Sequence, residues 1–140
     1  MKKILFISCL LFYQSSLYAE TVYIDCEGSW NKKNKVGWRG RNTTNDSGRV
    51  NGKLIISDRG VDYRNNGVLV ARFYDNDCSV RDDEIFCRTD GCDEKFCQNA
   101  DFTLDLDRRS FLYKSHIEFN DGGMPGERED QHEGYCYINN

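Results

Sequence analysis

Proline is almost missing from this chain: Pro125 is the only one in 140 residues. Proline-rich spacers and collagen-like segments are thereby excluded. Histidine is nearly as scarce, with His116 and His132 the only 2. Acid–base chemistry near neutral pH therefore has two candidate side chains, and neither sits in a recognisable motif. No apolar run reaches the roughly 20 residues a membrane-spanning helix needs; the longest, Ile4–Tyr13, is about half that length. A glycine-rich phosphate loop, a dinucleotide fingerprint and internal repeats are absent too. No cofactor and no transmembrane segment are expected.

The apolar run has another use. Lys2 and Lys3 precede it, and a polar exit through Ser15, Ser16, Leu17, Tyr18 and Ala19 follows. That order is the layout of a secretory signal peptide, expected over residues 1–19, with residues 20–140 left as a single domain. Anchoring through a lipid on Cys9 is disfavoured because Ile4–Ile7 is too short an apolar lead. The short signal with its two lysines reads as bacterial, so the product is expected to be exported, periplasmic or secreted. The Asn42-Thr43-Thr44 and Asn45-Asp46-Ser47 glycosylation sequons matter only in a host that modifies them.

Of 7 cysteines, 6 lie beyond the signal: Cys26, Cys78, Cys87, Cys92, Cys97 and Cys136. An even count in an exported chain predicts three disulfides. The expected pairing joins Cys26 in the first strand to Cys136 in the last, because domain termini often lie together. Cys78–Cys87 and Cys92–Cys97 are then local staples, with Cys87–Cys97 and Cys78–Cys92 as the rival arrangement. Zinc ligation is disfavoured by the cysteine spacing and by export. Asp75, Asp77 and Ser79 alternate as in a calcium loop, but Val80 replaces the turn glycine and Phe86 the bidentate glutamate. No metal is expected.

Without Lys2 and Lys3 the balance is 17 basic against 23 acidic residues, a net charge of −6, which argues against nucleic-acid binding. The charge is uneven. Cations crowd Gly28–Lys53, and carboxylates crowd Asp75–Asp107. Asp82, Asp83 and Glu84 read as part of a solvated acidic face rather than a glycosidase pair.

Short alternating runs rich in Val, Ile, Tyr and Phe recur between turn residues, which is the strand signature. Strands are expected at Thr21–Cys26, Lys53–Ser57, Val61–Arg64, Val68–Tyr74, Glu84–Arg88, Phe102–Leu106, Phe111–Phe119 and Gly134–Ile138, with a short one near Val36–Arg39. Asn66-Gly67 predicts a tight hairpin turn, and Asp58-Arg59-Gly60 another turn. Gly28–Gly52 reads as a long irregular connection, and Asn120–Glu133, containing His132, as an exposed flexible loop. The fold class is all-β: a small antiparallel barrel or sandwich of about seven to nine strands, stapled by disulfides.

A stapled scaffold without catalytic motifs is expected to bind rather than catalyse. The leading expectation is an inhibitor or immunity-type protein acting on a protein partner. The alternative is an envelope-surface module taking an anionic glycan or lipid. Either would use the basic segment holding Trp30, Lys32, Lys35, Trp38, Arg39 and Arg41, since aromatic and cationic side chains suit both. A competing view has both tryptophans plugging the open end of the β-core. A small hydrolase built on His116 with an acidic neighbour is the least favoured reading.

Overall fold

The computed structural model describes residues 20–138; the expected signal peptide, Met1–Ala19, lies outside them. Nine strands account for most of these residues: β1 Val22–Val36, β2 Asn42–Ser57, β3 Gly60–Asn65, β4 Val68–Tyr74, β5 Cys78–Arg81, β6 Glu84–Cys92, β7 Phe96–Asp105, β8 Ser110–Asp121 and β9 Met124–Tyr137. They form one antiparallel sheet in the order β4-β3-β2-β1-β9-β8-β7-β6-β5, coiled until it nearly closes into a barrel. A barrel, not a sandwich, is thus the form the expected all-β fold takes. Its seam falls between β4 and β5, which a short 3₁₀ turn at Asp75–Asp77 connects.

Alternation explains the interior. Ile24 and Cys26 of β1, Val50, Gly52 and Leu54 of β2, and Phe102 and Leu104 of β7 are inward and buried, while the alternate residues face out. Tyr63 of β3 sits at the centre, its ring 6.0 Å from Phe102, 5.7 Å from Phe111 and 5.5 Å from Tyr113. Phe73 of β4 reaches Phe102 at 6.2 Å, so the two sides of the seam share one core. Each such side chain, fully buried, contributes about 1.5–3 kcal/mol.

Tight coiling requires β1 and β9 to approach closely. Gly28 and Gly134 face each other across that pair, and a Cβ on Gly28 would lie 1.9 Å from the Glu133 carbonyl oxygen. One on Gly134 would lie 2.0 Å from that of Glu27. Only glycine fits at either position.

All three expected disulfides join residues directly opposite on neighbouring strands: Cys26–Cys136 across β1 and β9, Cys78–Cys87 across β5 and β6, and Cys92–Cys97 across β6 and β7. Their Cα atoms lie 4.0–4.1 Å apart. The expected turn at Asn66-Gly67 is present, with φ of 51° and 78°, joining β3 to β4.

Two expected loops prove to be strands. Gly28–Gly52 is the upper part of a hairpin, paired from Ser29↔Arg49 to Val36↔Asn42. Asn120–Glu133 is the end of β8, a turn at Gly122-Gly123 and most of β9. Apart from Trp30 and Val50, which face the core, both segments are largely polar on both faces, so no sustained apolar period marks them, yet the backbone pairs up to the turns. Val36–Arg39 ends β1 and enters a 3₁₀ turn, Trp38–Gly40, rather than forming its own strand. β5, only four residues long, had no expected counterpart.

Candidate functional site

The Asn66 amide donates to the Asn51 carbonyl at 2.9 Å, so the β3–β4 turn lies level with the middle of β2. Above that level β1, β2, β8 and β9 continue without β3 and β4. Their ends are tied together. Gly37 N–H donates to the Pro125 carbonyl at 2.9 Å, and Asn120 N–H to the Lys95 carbonyl at 3.0 Å. The tips of hairpins β1–β2, β8–β9 and β6–β7 therefore gather at one end, where Cys92–Cys97 clamps the β6–β7 tip.

Trp38 stands on this end 71% exposed, between Gly37 and Arg39, which hold φ of 92° and 62°. Arg41 follows, also exposed. A groove of about 640 Å³ between the tips is lined by Lys35, Arg39, Lys95, Phe96, Phe119 and Glu127, among others. Lys35 donates to Glu127 in an ion pair across β1 and β9. The hydrogen bond from Lys35 holds the Glu127 carboxyl below its usual range, and the same bond raises the Lys35 ammonium.

The six residues read as one basic site are thus divided. Trp38, Arg39 and Arg41 share the tip, and Lys35 borders the same groove. Trp30 and Lys32 point instead to the interior side of β1. The Trp30 ring covers Gly48, where a Cβ would lie 2.7 Å from Nε1, and packs against the core. Lys32 Nζ lies 5.9 Å from that ring's centroid. Plugging the barrel therefore describes Trp30 and not Trp38.

His132 is corrected most. Expected in a flexible loop, it is an inward residue of β9, 7% exposed, because it shares the face of Cys136 at an even spacing. Its Nδ1 is 2.9 Å from the Tyr63 hydroxyl, and its ring meets Tyr113 edge-on at 5.3 Å. Burial, aided by the positive charge of Lys32, lowers its pKa to about 4. Burial also pushes the Tyr63 phenol and the neighbouring Asp130 carboxyl up, the latter against Lys32 and Arg128. The parity of His132 with Cys136 was the signal in the sequence that could have found this cluster.

His116 lies outward on β8, half-buried, with Nε2 3.2 Å from Glu118 and Nδ1 3.7 Å from Glu129. Asp77 and Asp75 of the failed calcium pattern accept backbone N–H bonds from Tyr74 and Asn76. The cysteines weighed as zinc ligands are all oxidised. That oxidation fits a compartment outside the reducing cytosol. No helix among the described residues is long and apolar enough to cross a membrane. No protein-family model, curated protein or solved structure matches the chain.

Proposed function

We propose that this is a non-catalytic binding protein of the periplasm or the secreted fraction that docks on a protein partner through its gathered hairpin tips, as an inhibitor or immunity protein does. The observation that carries the reading is Trp38, 71% exposed beside Arg39 and Arg41 on a tip held by backbone hydrogen bonds. Tryptophan and arginine dominate interface energetics, and a pre-ordered loop loses less entropy on docking.

The test is capture on immobilised, oxidised protein from envelope extract, followed by reconstitution with the purified captured protein. A Trp38→Ala, Arg41→Ala variant of verified fold is expected to lose that partner. Capture unchanged by the variant would sink the tip as the docking site. Binding to anionic phospholipid vesicles or an anionic glycan, with no protein retained, would favour the module reading. That second reading is weakened by Trp30 and Lys32, which face inward.

A further inference from the structure

The outer face of the upper sheet carries a trench that the tip reading leaves unused. It runs across β2, β1, β9, β8 and β7, encloses about 670 Å³, and spans roughly 19 Å at the usual strand spacing. Strand register builds its walls. One wall is the cross-strand row Ser47, Asn31, Gln131, Lys114 and Asp101. The other, two residues along, is the row Asn45, Lys33, Glu129, His116 and Asn99. Every wall side chain is polar. A coiled sheet is saddle-shaped, so its outer side is concave in one direction, and the trench follows from the twist.

The chemistry of the walls narrows the ligand. Asp101 is held by Arg88 through two hydrogen bonds of 2.7 and 3.1 Å, and Glu129 lies 3.7 Å from His116. Across the whole lining Lys32, Lys33 and Lys114 stand against Asp46, Asp101, Glu129 and Asp130, with Asp101 already paired to Arg88, so the trench has no positive field to favour an anion. It also lacks the aromatic anchors that a protein contact requires. The amides of Asn31, Asn45 and Asn99 make no side-chain hydrogen bond among the described residues, and each presents two donors and an acceptor. A linear array of such groups matches a chain of hydroxyls, each of which donates and accepts.

We propose that the trench binds a neutral, polyhydroxylated chain, a linear oligosaccharide lying across the strands. This site is separate from the tips and does not rest on the protein-partner reading. Isotope-labelled, oxidised protein is titrated separately with cellohexaose, maltohexaose and chitohexaose, to saturation or to the solubility of each sugar. With at least one of them, the side-chain amide signals of Asn31, Asn45 and Asn99 shift. Asn31→Ala with Asn99→Ala then raises the dissociation constant about tenfold, the loss of one to two hydrogen bonds. Trp38→Ala leaves it unchanged. If the double variant misfolds, Lys114→Gln carries the same expectation of weaker binding. Absence of trench shifts with all three sugars, shifts confined to the tips, or unweakened binding by the folded variants would overturn the proposal.

Discussion

The lower and upper halves of the barrel share strands and register but are held differently. Below the Asn66-Gly67 turn, the inward side chains are Leu54, Tyr63, Phe102 and Leu104, each 0% exposed. Above it, the inward positions of the same sheet are Lys32, Asn34, Arg128 and Asp130, with Arg128 Nε donating to Asn34 Oδ1 at 2.8 Å. Burial organises the lower half. The upper half is organised by the backbone ladder, by cross-strand polar pairs and by Trp30 and Phe119 laid over Gly48 and Gly126. Apolar alternation therefore reports that a strand is buried, not that it exists.

The comparison can be tested, starting with the disulfides. Replacing Cys26 and Cys136 by serine removes the clamp of the lower half, which closes a separation of 110 residues; the expected loss in urea unfolding is about 4.8 kcal/mol. Replacing Cys92 and Cys97, separated by 5, should cost about 2.2 kcal/mol. Equal losses would contradict the division. Gly134→Ala, whose Cβ meets a backbone oxygen, should cost about 3 kcal/mol through a forced shift of β1 against β9, read in the same assay.

Acid acts on the boundary between the halves. His132 is neutral when folded, with a pKa of about 4 against 6.5 when unfolded, so the unfolded chain takes the proton first as pH falls. Stability is full above pH 6.5, declines down to about 4 and is flat below that for this group. The decline should be roughly 2 kcal/mol once partial solvent screening is allowed for. Asp130, with its raised pKa, works in the opposite direction at the acid end, so the measurement is the difference from His132→Gln. A variant with the parent's slope would remove His132 as the cause. The smallest expected effect is Trp38→Ala, which should leave unfolding free energy within about 0.5 kcal/mol while abolishing partner capture. A large loss of stability would make Trp38 a structural residue.

What could be read from the residues alone follows the same boundary. Val68–Tyr74 was legible to the residue, and Asn66-Gly67 named its turn, because both signals are local. Of the cysteine pairing, Cys26–Cys136 was expected from the closeness of domain termini, whereas the choice between Cys78–Cys87 with Cys92–Cys97 and the rival arrangement is decided only by the register of β5, β6 and β7. Lys32–Val36, Asn42–Arg49 and Glu127–Gln131 were not, since a strand polar on both faces carries no period. The inward turn of Trp30 depends on register with Gly48, and the convergence of Gly37 with Pro125 depends on two hairpins far apart in the chain. The trench is a product of five aligned strands and has no local signature.

The pairing of β1 with β9 at the middle of the sheet also sets an order of events during synthesis. Hairpin β1–β2 can form as soon as it emerges, but the other edge of β1 stays bare until the final strand arrives. Through that interval Cys26 stands without its native partner, Cys136. Anything that binds extended chains or exchanges thiols during folding would find its target there, in a nascent form of the molecule that the finished barrel conceals.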